Sequence, residues 1–298
     1  MARYYLPLVR WARSRGSLHG AARRMLPFVP DVPITMHIPE LGRFCFGLRR
    51  HRWLMGNNCL APHALILGMF QRLTRPGDVF YDVGANIGYY TRFIVRHLPV
   101  SRVVAFEPMR ANVRILKRNI ALGRCADRVT LLPIALGDSE GEEDLQVDDI
   151  GDGSAVLDRI SGGQPAEPRR LLGLSGRVER TRVERLDDVI RRLELPPPNV
   201  IKIDTEGAEV IVLRGAQETL RRHRPRLAIA LHGPERARET LELLEQARYA
   251  AFGYVRTMDG EAYRRLGIAD AERLSNNNII ASTDGTELCD PIIPFRFD

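Results

Sequence analysis

Cysteine is scarce and poorly placed for bridging or zinc. The chain of 298 residues has four, Cys45, Cys59, Cys125 and Cys289, with no C-x-x-C pair and no zinc-ligand spacing. They read as reduced thiols of a cytoplasmic protein. No uninterrupted apolar run approaches the ~20 residues that a membrane helix needs. A clean signal-peptide core is missing too, because Arg10, Arg13 and Arg15 interrupt the N-terminus. Acids are absent before Asp31, so residues 1–30, with Arg3, Arg10, Arg13, Arg15, Arg23 and Arg24, hold six of the seven net positive charges. The rest is nearly neutral, and the basic total argues little for a nucleic acid partner. Also absent is the Gly-x-Gly-x-x-Gly run that cradles a pyrophosphate, which speaks against an NAD(P)-dependent oxidoreductase.

What is present is ordinary in bulk and specific in detail. Hydrophobic content of 44% and charge of 27% suit a folded chain long enough for one large or two small domains. Residues 78–88 organise it: Asp-Val-Phe-Tyr-Asp-Val-Gly-Ala-Asn-Ile-Gly. Residues 79–83 read as a buried strand with one polar exception, Asp82. Gly84 to Gly88 make a tight turn, and Ile87, Tyr90, Ile94 and Leu98 then recur at helical spacing. Gly84 and Gly88 permit positive φ and close approach of the backbone to a ligand. The helix start favours a carboxylate or phosphate nearby. A second strand, 102–106, ends in Glu107-Pro108, where an acid can accept two hydrogen bonds from a ribose diol.

Further along, helix 110–122, with Gly123 at the C-cap position, leads to strand 129–132 and then Pro133-Ile-Ala-Leu-Gly-Asp138. Segment 139–199 is too long to lack structure. It contains short strands at 145–147, 155–157 and 181–183, a helix marked by Leu186, Val189, Ile190 and Leu193, and a loop at 161–175 rich in Gly, Pro and Arg. An insertion there is where a substrate lid would sit. The stretch Val200-Ile-Lys-Ile-Asp-Thr-Glu-Gly-Ala-Glu209 is a buried strand followed by three acids and a helix carrying Val210, Leu213 and Leu220. Strand 226–231 ends at His232, helix 236–247 follows, and runs 250–256 and 278–282 suit a final strand pair, one antiparallel. In front, runs around Ile34, Met36, Ile38 and Phe44, Phe46, Leu48 suggest a hairpin, and 61–73 a helix, together capping one edge of the sheet.

Asp82-Val-Gly-Ala-Asn-Ile-Gly88 resembles the first motif of class I S-adenosylmethionine (SAM)-dependent methyltransferases. With Val104-Ala-Phe-Glu-Pro108, Ala135-Leu-Gly-Asp138, Leu186-Asp-Asp188 and Ile201-Lys-Ile-Asp-Thr-Glu-Gly-Ala-Glu209, the chain resembles the FkbM-type family of these enzymes over about residues 76–282. The resemblance implies a doubly wound, Rossmann-like α/β sheet, mostly parallel with one antiparallel strand near the C-terminus. Residues 1–75 would form a basic segment, hairpin and capping helix, and residues 76–298 the methyltransferase domain with its insertion at 139–199. It implies O-methylation of a small molecule, sugar or glycan, with SAM as cofactor. The cofactor-binding candidates are Asp82, Gly84, Ala85, Asn86, Gly88, Glu107, Ala135 and Asp204, with Ala135 lining an adenine slot and Asp204 holding the methionine amino group.

The candidates for removing the acceptor's proton are His232, Asp204 and Glu206, all at strand ends. His232 has the ordinary pKa nearest neutrality. The bland alternatives are a histidine satisfied by backbone and acids that cap a helix. No metal-ligand cluster is readable. Residues 1–30 read as a solvated or loosely packed helix, with peripheral contact to an anionic membrane as the alternative. A non-catalytic surface-binding protein is the rival of a different class.

Overall fold

The computed structural model describes residues 30–51, 54, 63–148, 154–164, 175–258 and 260–296. The expectations for residues 1–29, for Gly151 to Gly153 and for most of the Arg-rich loop lie outside the described residues.

In chain order, β1 (Pro33–Ile38) and β2 (Gly42–Gly47) form a hairpin, and α1 (Ala64–Leu73) follows. Then come β3 (Val79–Val83), α2 (Tyr89–His97), β4 (Arg102–Phe106), α3 (Arg110–Leu122) and β5 (Val129–Leu132). β6 (Ala135–Leu136) follows, and the insertion holds β7 (Gly141–Val147), β8 (Ala155–Leu157), the single-turn α4 (Asp158–Ser161), β9 (Val178–Glu184) and α5 (Leu186–Arg192). The chain closes with β10 (Val200–Ile203), α6 (Glu209–Arg214), α7 (Gln217–His223), β11 (Arg226–Ala230), α8 (Pro234–Gln246), β12 (Ala250–Thr257), β13 (Gly260–Arg265) and β14 (Leu274–Ser282).

Eight strands form one sheet in the order β13-β12-β14-β11-β10-β3-β4-β5. The five from β11 to β5 are parallel. Strand order reverses between β3 and β10, which opens a crevice at their carboxyl ends. Helices cover both faces, so the central strands are buried on both sides and read as apolar runs rather than alternations. Phe80, Tyr81, Val103, Val104, Val200 and Ile201 are all enclosed. Each such side chain contributes roughly 1.5–3 kcal/mol by leaving water. Two charged residues break these runs, Asp82 on β3 and Lys202 on β10, and they are register partners.

Several details differ from the sequence reading. β14 runs antiparallel to both β11 and β12, as expected, but β13 is a second antiparallel strand. Its sequence, Gly-Glu-Ala-Tyr-Arg-Arg, lacks an apolar alternation because it is the exposed edge, where charge blocks further pairing. The helix expected to run through Leu220 breaks at Gly215. A Cβ on Gly215 would fall on the carbonyl oxygen of Gly137, so the backbones touch there. Gly123 does cap α3, but with φ −81°. Its missing side chain makes room for the Arg92 guanidinium, and Arg124 takes the left-handed conformation.

Among the described residues, the front section packs against α2, α3 and the face of the sheet. The hairpin lies outside the helical layer, tied to α2 and α3. Arg92 donates to Leu41 O at 2.6 Å, and Asn119 exchanges bonds with the Cys45 backbone at 2.6 and 2.8 Å. α1 lies over the sheet, with Phe70 edge-on to Phe80 at 5.5 Å between centroids. Hairpin, α1, α2, α3 and the sheet share one apolar cluster. The insertion joins β6 in a separate four-stranded sheet in the order β6-β9-β7-β8, where Ala135 and Leu136 pair with Val183 and Glu184.

Candidate active site

The turn after β3 takes the shape its glycines permit. Gly84, Asn86 and Gly88 have φ of 75°, 51° and 83°. The space where Gly84 would carry a Cβ is filled by the carbonyl oxygen of Asp204, and that of Gly88 by Leu116. Close approach is therefore to the protein itself. The turn's N–H groups are also engaged internally. Gly84 and Ala85 donate to Phe106 O at 3.0 and 2.9 Å, and Gly88 to Ala85 O at 2.8 Å. Ile87 donates to the Asn86 side chain at 2.7 Å, and Asn86 N donates to Glu107 Oε2 at 2.8 Å.

Glu107 stands at the tip of β4, 5% exposed, and its Oε1 accepts from Met109 N at 2.9 Å. Burial pushes its pKa up to about 7, against the pull of the Met109, Asn86 and Asn112 hydrogen bonds and of Lys202. Each carboxylate oxygen has two lone pairs, so one on each remains after the backbone bonds.

Asp82 is fully buried, and its carboxylate is engaged within the protein. Its Oδ2 accepts from Thr91 Oγ1 at 2.6 Å, and its Oδ1 lies 3.1 Å from Lys202 Nζ. Partners in register on adjacent parallel strands point to the same face, which brings this pair together. Lys202 Nζ also donates to Gly84 O at 2.7 Å and Val83 O at 3.2 Å. Burial works against its charge, but Asp82 and Asp204 outweigh that and hold its pKa above the ordinary value. The buried lysine thus locks the first-motif strand to β10. Lys202 was visible in the sequence as the one charge in a four-residue apolar strand, yet its role depends on strand order.

Asp204, Glu206, Glu209 and His232 converge at the ends of β10 and β11. Glu209, 1% exposed, accepts from Thr205 N at 3.0 Å, Gly207 N at 3.1 Å and His232 Nδ1 at 3.1 Å, all through Oε1. It therefore clamps the loop and the imidazole instead of merely capping α6. Nε2 of His232 faces Glu206 Oε2 at 3.7 Å and Asp204 Oδ1 at 4.0 Å. Burial lowers the His232 pKa, but the three carboxylates prevail and raise it to about 9. The ordinary imidazole value, nearest neutrality among the candidates, is thus shifted by these neighbours. Asp204 is shared, since its Oδ2 lies 3.7 Å from Lys202 Nζ.

Beside this group opens a cleft lined by Tyr90, Lys202, Asp204 and Asn278, with Met69 and Phe70 of α1 as its apolar wall. Among the described residues, Asp82, Glu107 and the insertion do not contribute to its lining. α1 walls this cleft on its apolar side. Tyr90 Oη meets His63 Nδ1 at 2.7 Å. Ala135, expected at an adenine slot, is buried with Met109, Ala208 and Ile211. Asp138 pairs with Arg159 at 2.7 Å.

Residues 82–256, more than half of the chain, match the methyltransferase FkbM domain family. Among similar proteins, the AMB antimetabolite synthetase AmbE of Pseudomonas aeruginosa is 34% identical over 48% of this chain and 8% of its own length. The 31-O-demethyl-FK506 methyltransferase FkbM of Streptomyces tacrolimicus is 30% identical over 56% of this chain and 68% of its own. The 2-O-methyltransferase NoeI of Sinorhizobium fredii is 29% identical over 62% and 73%. The chain thus spans under a tenth of the first relative and about two-thirds to three-quarters of the other two.

Proposed function

The chain belongs to the methyltransferase FkbM domain family, and from that premise we propose that it is a SAM-dependent methyltransferase acting on a hydroxyl oxygen of a small molecule, sugar or glycan. The observation that carries the reading is the clustering, at the carboxyl ends of β3, β4, β10 and β11, of a glycine turn, a buried acid and a half-exposed Asp204–Glu206–His232 group beside a cleft. The names of FkbM and NoeI, both O-methyltransferases, support the hydroxyl acceptor.

The donor set fits the cofactor. Glu107 keeps a free lone pair on Oε2 and, on Oε1, one met only by Asn112 Nδ2 at 3.5 Å, which a ribose diol would take. Asp204 offers a carboxylate to an amino group, and the turn from Gly84 through Ala85 and Asn86 to Gly88 forms the corner between them. Ala135, buried beside Met109 of the segment after Glu107, is kept as a candidate for the adenine side. SAM, when bound, supplies an activated methyl group on a sulfonium. The chain's own task is alignment, which can contribute roughly 7–11 kcal/mol, and removal of the acceptor's proton, worth ~10²–10⁴-fold.

Asp82 acts through Lys202, holding the turn instead of touching cofactor. At neutral pH His232 is held protonated by its three acids, so Asp204 and Glu206 are the proton acceptors and His232 fixes their positions. Family membership removes the footing of an NAD(P) oxidoreductase or a purely surface-binding module. Calorimetry with S-adenosylhomocysteine, followed by a screen of sugar and metabolite acceptors with labelled SAM, tests the reading. No binding of S-adenosylhomocysteine would overturn it.

A further inference from the structure

We propose that residues 285–296 form a strap that gates the cleft by holding α1 against the sheet, the cleft being the acceptor's way to Asp204; the inference rests on the methyltransferase reading above. As it stands the cleft encloses about 10 Å³, room for a single water. Its apolar wall is shut, with Met69 1% exposed and Phe70 fully buried. The facing wall, Ile203, Ala228 and Ile229, belongs to the paired central strands β10 and β11 and is held fixed by the sheet. An acceptor hydroxyl therefore passes through this cleft only when α1 moves.

The strap runs antiparallel along one face of α1. Residues 64, 68 and 72 lie about one turn apart on that face, and each meets it. Phe295 N donates to Ala64 O at 2.8 Å. A Cβ on Gly68 would fall on Ile293 O and crowd the Ile292 side chain, so helix and strap touch where a side chain is missing. Arg72 donates to Pro291 O at 3.3 Å and to Glu287 O at 3.2 Å. Phe70, two residues beyond Gly68, projects from the opposite side of the helix, toward the cleft. The strap thus bears on the back of the wall that the acceptor has to displace.

On either side of α1 the strap is tied to other elements. Tyr263 of β13 and Tyr254 of β12 donate to Leu288 O at 2.8 Å and to Ile292 O at 3.4 Å. Phe295 packs edge-on to Phe93 of α2, with centroids 4.8 Å apart. The fastening is nevertheless light. After residue 288 the chain is irregular. Leu288 and Ile292 are buried anchors, whereas Pro291 and Ile293 are exposed. A segment with few buried anchors and little backbone pairing opens locally at far lower cost than a central sheet. Release of the strap frees the back of α1, and closure returns it, as in lids that admit a substrate and then enclose it.

The test follows alkylation by iodoacetamide of the full chain carrying Met69→Cys, read peptide by peptide by mass spectrometry. Position 69 lines the shut cleft, so its labelling rate reports opening. Cys45 and Cys125, both buried, report loosening of the whole domain. Adding Ile292→Ala is expected to speed labelling at position 69 by about tenfold or more, with the rates at Cys45 and Cys125 unchanged. Arg72→Ala removes only the two side-chain ties to the strap and is expected to give about threefold. Should Ile292→Ala fail to fold, Arg72→Ala carries the test. Labelling at position 69 that keeps the parent rate, or that rises only in step with Cys45 and Cys125, overturns the gate. S-adenosylhomocysteine affinity, measured by calorimetry, is expected to be equal in parent and variants. Its absence in every form would instead overturn the methyltransferase reading, while the labelling rates still decide whether the strap holds α1.

Discussion

Lys202 stands across from Asp82 in the pairing of β10 with β3, its Nζ 3.1 Å from Oδ1, with both side chains at most 5% exposed. Breaking such a pair leaves one buried charge uncompensated, which costs about 3–5 kcal/mol. Asp82→Asn and Lys202→Met are each expected to lose stability on that scale in urea denaturation. The double variant is expected to be more stable than the sum of the two losses by at least about 1 kcal/mol. The cofactor affinity of Asp82→Ala falls through the displaced turn, since Lys202 also holds Gly84 O at 2.7 Å.

Glu107 gives cofactor binding a pH dependence. Its folded pKa, about 7, lies above the ordinary 4.5. In the free chain its contribution to stability is fully present below about 4.5 and is lost as pH rises through about 7. Binding of a ribose diol runs the other way, because the ionised form accepts both hydroxyls. Affinity for S-adenosylhomocysteine is expected to drop about tenfold from pH 8 to pH 6, with proton release on binding at pH 6. Calorimetry in two buffers of different ionisation enthalpy measures both, and a flat affinity would remove Glu107 from the cofactor site.

Gly84→Ala and Gly77→Ala separate strain from collision. Both positions have positive φ, 75° and 86°, but a Cβ on Gly84 falls on Asp204 O while one on Gly77 meets nothing within 4 Å. Gly77→Ala is expected to cost about 1–2 kcal/mol from backbone conformation alone. Gly84→Ala adds overpacking of about 1–3 kcal/mol and weakens cofactor affinity. Thermal denaturation of the two variants side by side checks the difference.

Asn119 anchors the hairpin from the last turn of α3. Fully buried, it accepts from Cys45 N at 2.6 Å and donates to Cys45 O and Ile87 O at 2.8 Å each. Asn119→Leu leaves three backbone groups without partners, each costing about 1–3 kcal/mol. Urea denaturation is expected to show the loss, and amide exchange to show it concentrated in β1 and β2.

His232→Ala is expected to lower turnover by displacing Asp204 and Glu206, the proton acceptors it positions, and to reduce S-adenosylhomocysteine affinity far less than turnover. Normal turnover would remove the histidine from the acceptor side.

Much of this was readable along the chain. Apolar runs, turn glycines and helical spacing gave the strands β3, β4, β5, β10 and β11 with their helices, because local periodicity follows directly from which faces are covered. β13 escaped, since an exposed edge strand carries no apolar pattern. The break at Gly215 escaped as well, since the obstacle is the backbone of Gly137, distant in sequence. Asp204, Glu206 and His232 were singled out as residue types at strand ends, and the strands do bring them together.

The order of residues by itself determined the elements, the glycine corner and which acids stand at strand tips. Tertiary structure decided what those groups face: that Asp82 spends its charge on Lys202, that Glu209 holds His232 and raises its pKa with Asp204 and Glu206, and that α1 walls the cleft. The reason is that charge and burial depend on through-space neighbours, and those are set by strand order and register, which no local pattern encodes.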